Sequence, residues 1–325
     1  MVLTIVLTLL AAAPNAQTLK QQNAKLLGQM KRVYGLNPDQ MKRISGILAR
    51  SGIAGQGNPA VTRHPMSVDT CKTNTAGKKF DNARFRKICG KRFMAPLYDP
   101  ATERPEDAKA CIDQFEFPNI PCTYPVVWTK ASEAADLCQA VGKRLCDAHE
   151  WEGACQGSLQ PPDYRFDLAK GFDASTAVAR MRAASNAKNA GSKRWSYGPS
   201  YKAGICGAAS TKTAGCGGGE FNNCGSNTYP TGAFPKCVSK LGVYDLNGNA
   251  AEHMNLPLAP DQMASTGSKK LGVTEMKGSW FIFDKFRAHP DWCRWRAPFW
   301  HGAKVRSPAS HANYHLGFRC CSSLN

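Results

Sequence analysis

Fourteen cysteines, an even number spread from Cys71 to Cys321, constrain this 325-residue chain more than any other feature. They lack the repeated Cys-x-x-Cys spacing of a zinc ribbon or finger, so the simplest reading is a framework of disulfides formed in an oxidising compartment. The 29 glycines and 20 prolines add that turns and loops outnumber long regular elements. The first 16 residues agree with an oxidising destination. Val2 to Ala13 is an uncharged apolar run, followed by Pro14-Asn15-Ala16 and the polar Gln17-Thr18. This is the order of a secretory signal cleaved after Ala16, which predicts export to a periplasmic or extracellular location. The run is shorter than the 20 or so residues of a membrane span, and no later segment qualifies, so no membrane span is expected.

The formal charge of +18 is uneven: residues 1 to 110 hold 18 Lys/Arg against 7 Asp/Glu. Such a surplus draws a protein towards nucleic acid, anionic lipid or acidic glycans. No nucleic-acid motif accompanies it, so nucleic acid is not an expected partner and a solvated basic surface is the reading adopted.

After the signal, Leu26, Leu27, Met30 and Val33 recur at helical spacing. Asn37-Pro38 reads as an N-cap followed by proline at the first helical position, with Met41, Ile44, Ile47 and Leu48 on one face beyond it. Residues 17 to 50 are therefore expected to form a helical hairpin. Residues 51 to 110 are expected to be a linker followed by a basic segment in which Cys71 and Cys89 are available to close a loop. The main domain is placed at 111 to 325. It opens on a short strand carrying Ile112, Phe115 and Phe117, then a helix capped by Thr129 or Ser132 with Ala131, Ala134, Ala135, Cys138 and Val141 on one face. Asp147-Ala148-His149-Glu150 has the spacing of a capping box and starts a second helix carrying Trp151, Ala154 and Cys155 inward. Beyond Gln156 the chain reads as mostly loop. Two short helices and a long turn-rich remainder predict an α+β fold, disulfide-stapled, with an N-terminal helical extension.

Pro125-Val126-Val127-Trp128 followed by SEAADLCQAVGKRLCDAHEWEGACQG (132 to 157) resembles the helix pair of the formylglycine-generating enzyme (sulfatase-modifying factor) family. PTGAFP (230 to 235), LGVYDLNGNAAEH (241 to 253), KGSW (277 to 280) and LGFRCC (316 to 321) follow in that family's order. The resemblance covers about 210 residues. It implies a loop-rich fold related to C-type lectins, shared with ergothioneine- and pyoverdine-biosynthesis relatives. It further implies disulfides Cys138 to Cys320 and Cys155 to Cys293, and a structural calcium ion on Asn249 and Glu252. Asp245 to Glu252 places several oxygens on a tight turn, which suits a hard cation, although a turn capped by Asn249 accounts for the same residues.

The family's oxidase turns a substrate cysteine into formylglycine with copper held by two cysteines shortly after Gly-Ser-Trp; paired thiolates suit Cu(I). Here Gly278 to Arg287 contains no cysteine, and Cys293 falls where the resemblance implies a disulfide. Copper is therefore not expected. Neither is iron, because the hairpin carries no histidine for a facial triad. The branch that fits best is an exported one without the copper cysteines: a non-catalytic binding or structural module, or a divergent pyoverdine-type enzyme. The alternative is an active formylglycine-generating oxidase acting on a sulfatase cysteine, or another metal-dependent oxidoreductase of the family. Trp280, Trp292, Trp295 and Trp300, interleaved with Arg294 and Arg296, read either as a groove for a peptide, protein or glycan or as core packing. His289, His301, His311 and His315 read as scattered packing or surface histidines.

Overall fold

The computed structural model describes residues 17–217, 219–297 and 302–324; the stretch 1–16 expected to be a signal, and the residues Trp300 and His301, lie outside them. Helix α1 (Leu19–Tyr34) starts at a capping box between Thr18 and Gln21 and ends at Gly35 in the left-handed conformation. Helix α2 (Pro38–Ser51) repeats the device with Asn37 and Gln40, proline at its first position, and Gly52 as the stop. Leu26 and Met30 of α1 and Ile44, Ile47 and Leu48 of α2 are buried in one cluster with residues of the later domain.

The supposed linker is packed structure. Gly55 and Val127 exchange backbone hydrogen bonds of 3.2 and 2.8 Å, and Asn58 donates to the carbonyl of Phe221 at 2.9 Å. Two short helices follow, α3 (Val68–Asn74) and α4 (Ala83–Cys89), then strand β1 (Met94–Leu97), which pairs antiparallel with β2 (Ala110–Asp113). The main sheet thus begins well before residue 111, and β2 stops before Phe115 and Phe117.

Helix α5 (Ala131–Ala140) is capped differently from expectation: Lys130 occupies the N-cap. Its N–H is taken by the Glu133 carboxylate at 2.9 Å, and that of Ala131 by the Ser310 hydroxyl at 2.9 Å, so neither Thr129 nor Ser132 is needed. Strand β3 (Arg144–Leu145) leads into α6 (Ala148–Gln156). There Glu150 reaches back to the Asp147 N–H at 2.8 Å, while the Asp147 carboxylate turns away to Asn255, Ala264 and Ser265. Only one arm of the expected capping box forms.

Helix α7 (Ala174–Asn189) occupies a stretch read as loop. Its inner face is Ala177, Val178 and Met181 followed by Arg182, Ser185 and Asn189, so half of the buried stripe is polar and apolar periodicity does not reveal it. The last strands are β4 (Ala251–Leu256), β5 (Val273–Lys277), β6 (Leu316–Phe318) and β7 (Cys320–Ser323). They complete two sheets, ordered β1-β2-β7-β3 and β5-β4-β6, the β4–β6 pair being parallel. The fold is α+β, as expected.

All fourteen cysteines are paired. The bonds the resemblance implies are present, Cys138–Cys320 and Cys155–Cys293, and Cys146–Cys321 lies beside the first. Cys71 and Cys89 do not join each other. Cys71 bonds to Cys122 and Cys89 to Cys111, because β2 returns alongside β1 and brings Cys111 to the end of α4. Cys206–Cys237 and Cys216–Cys224 tie the glycine-rich loops.

Candidate functional site

Two buried polar centres and one loop occupy the region where chemistry is expected. The loop begins at Gly278, whose φ of +75° and close approach to the Leu246 carbonyl, 2.8 Å from where a Cβ would stand, leave room for no side chain. Ser279 accepts from the Gly248 N–H at 2.8 Å and donates to Asp291 at 2.8 Å, locking this loop to the 245–249 turn. No cysteine lies on it, and Cys293 is bonded to Cys155.

The aromatic and basic residues that follow form core, not a groove. Trp280, Trp292, Arg294, Trp295 and Arg296 are each 8% exposed or less. Trp280 stacks on His315 with centroids 4.4 Å apart, and Trp295 on His289 at 4.7 Å. Arg296 is drawn inward because Glu152 on α6 is buried and must be neutralised: the guanidinium donates to it at 2.9 and 3.1 Å, and Lys277 adds a third bond at 3.0 Å. These cations, Arg296 foremost, outweigh burial and hold the Glu152 carboxyl down at about 2.

The second centre is the 245–252 turn. Asp245 and Asn249 both have positive φ, 58° and 55°, flanking Gly248. Asn249 accepts from the Tyr229 N–H and donates to Glu116, each at 2.8 Å, and Glu116 also accepts from the Ala250 N–H at 2.8 Å. Asp245 accepts from the Gly232 N–H at 2.6 Å. Glu252 gives both oxygens to the Arg319 guanidinium, at 2.6 Å each, with a further bond of 3.2 Å from the Trp151 indole. Glu116, Asp245 and Glu252 are thus buried carboxylates that all sense the Arg319 charge, with Glu252 alone bonded to it. Burial pushes the Asp245 carboxyl up to about 7 and that of Glu116 well above its ordinary value.

A calcium ion needs several uncommitted oxygens converging on one point. Asn249 and Glu252 do not offer them: the amide oxygen serves Tyr229, and both carboxylate oxygens serve Arg319. The pair expected to hold calcium therefore does not fit one. Copper finds no thiolate pair. Among the described residues the one group of candidate ligands close enough to share an ion is Cys146, Glu150 and Cys321. Its two sulfurs are bonded to each other, and Glu150 is held by Arg144 at 2.7 Å through each oxygen.

Sequence reasoning missed Glu116, Glu152 and Arg319, the residues that organise both centres. The one local sign of Arg319 is its place in the LGFRCC segment; nothing near Glu116 or Glu152 names their partners. His253, next to Glu252 on β4, bonds Thr274 at 2.8 Å and the Thr129 carbonyl at 2.9 Å.

A family model described as the sulfatase-modifying factor enzyme 1-like domain (FGE-sulfatase) matches residues 92–324. The matched range takes in β1, in keeping with its place in the sheet. No curated protein matches the chain. One similar solved structure is a Major Tropism Determinant I1 variant, 12% identical over 72% of this chain and 46% of that one, with a TM-score of 0.27. This chain spans less than half of that protein, and a likeness so shallow carries no argument, including for a kinship with C-type lectins.

Proposed function

Because the chain belongs to the FGE-sulfatase family, whose model covers most of its length, we propose that it is an exported member working as a non-catalytic binding or structural module rather than as a copper oxidase. The observation that carries this reading is the cysteine pairing. Oxidation of a substrate cysteine through copper needs two thiolates, and all fourteen sulfurs are consumed in seven disulfides, Cys293 with Cys155 among them. The same seven bonds support export, since they persist only where the surroundings are oxidising. Among the described residues no helix is long and apolar enough to cross a membrane.

The test is to incubate protein made in an oxidising compartment with copper, oxygen and a peptide bearing a sulfatase cysteine motif, and to weigh the peptide. An unchanged mass is the expected result. Conversion to the aldehyde would establish the oxidase reading instead. N-terminal sequencing of the native protein tests export separately: a start at Gln17 or Thr18 is expected, and an intact Met1 in a cytoplasmic fraction would refute it.

A further inference from the structure

A cavity of about 280 Å³ lies where the N-terminal hairpin meets the family domain, with Asp113 between it and the Arg319 centre. One wall is apolar: Val33 of α1, Leu36 of the hairpin turn, Phe117 and Val141. Four cations also line it. Arg86 comes from α4, Lys91 and Arg92 follow the Gly90 that ends it, and Lys143 follows α5.

Two carboxylates answer these four charges. Asp81 takes Arg86 at 3.2 Å and Arg92 at 2.8 Å. Asp113 takes Lys143 and is otherwise occupied by the Asn119 amide at 3.0 Å and the Cys320 N–H at 3.1 Å. The local balance is two positive charges in excess. Lys91 has no hydrogen bond or ion pair with any described residue, although it is part-buried, and burial, then the Lys143 charge, depresses its ammonium below the ordinary lysine range. A cation in that position gains from any anion brought to it, while the apolar lining gains only from apolar surface. A compact inorganic anion would leave the wall wet, and a neutral hydrocarbon would leave Lys91 unpaired.

We propose that this cavity binds a small organic carboxylate with an apolar body, its carboxylate on Lys91 and its hydrocarbon against Val33, Leu36, Phe117 and Val141. The site holds whether or not the domain is catalytic, since it shares no residue with the Gly278 loop. It also gives the hairpin a purpose, because α1 and the turn after it supply one wall.

Calorimetric titration of the full disulfide-bonded protein with octanoate, octanol, octylammonium and acetate tests the assignment. Octanoate is expected to bind one site, with octanol roughly tenfold weaker and neither octylammonium nor acetate binding measurably. Lys91→Met should weaken octanoate about tenfold and leave octanol unchanged, a result that loss of folding would not mimic. Val33→Trp, which fills the cavity, should abolish binding of both. Equal binding of octanoate and octylammonium, an octanoate affinity indifferent to Lys91→Met, or binding that survives Val33→Trp would each overturn the proposal.

Discussion

Arg319 pairs with both oxygens of buried Glu252, its charge also reaches buried Glu116 and Asp245, and it donates to the carbonyls of Asp113, Gln114 and Tyr244. Removing one partner of a buried pair leaves an uncompensated charge, so Arg319→Met should cost about 3–5 kcal/mol in denaturant unfolding. Because both Glu252 oxygens are taken by this guanidinium and the Asn249 oxygen by the Tyr229 N–H, a chelator should leave the melting temperature unchanged in the wild type and in Glu252→Gln alike. Asp245 carries a pH signature. Its folded value of about 7 lies above that of an unfolded aspartate, near 4, so the native state binds the extra proton between those limits and its stability contribution falls as pH rises through them. Asp245→Asn, which cannot ionise, should therefore become progressively more stable relative to wild type from pH 4 to pH 7, as measured by paired thermal melts. A flat difference would show that Asp245 is already ionised. At this scale the sequence displayed the turn oxygens from Asp245 to Glu252, but not their partner 67 residues away. The sequence therefore offers those oxygens to an ion, whereas in the fold Glu252 meets Arg319.

Among the elements, those with their own signals were legible. Both hairpin helices carry caps and an apolar stripe within a few residues, and the Asn37-Pro38 start is found where the residues put it. Helix α7 was not legible because its stripe ends in Arg182, which reaches Glu275 at 2.7 Å and the Thr274 carbonyl at 2.9 Å. A residue that looks solvent-facing is there a buried ion partner. Strands of two to six residues leave too little alternation to read, and β1 was lost inside a basic segment. The hairpin also differs from an appended module, since Ile44 is fully buried in the same cluster as Ala134, Cys138 and Phe318. Ile44→Ala should cost about 2–5 kcal/mol and lower the single unfolding transition of the whole chain. A separate early transition, with the main one unmoved, would show an independent hairpin.

For the molecule as a whole, the disulfides replace the regular structure that the sheets do not supply. Cys138–Cys320, Cys146–Cys321 and Cys155–Cys293 close loops of 182, 175 and 138 residues, each worth about 5 kcal/mol in the loop-entropy account, though not additively. Pairings that follow the family pattern were readable from the motifs; Cys71–Cys122 and Cys89–Cys111 were not, because they depend on where β2 returns. The bonds also decide how the chain answers tension. Pulled from residue 17 and from its C-terminal end, the backbone passes force across Cys71–Cys122 and then across Cys138–Cys320, so the 51- and 182-residue stretches between them stay slack. Single-molecule stretching should accordingly show a short extension that grows by roughly 800 Å once reductant is added. Both buried polar centres sit largely inside those slack stretches, so a chain drawn taut between two attachments would load the hairpin and the 122–138 segment while a covalent cord spared the polar centres.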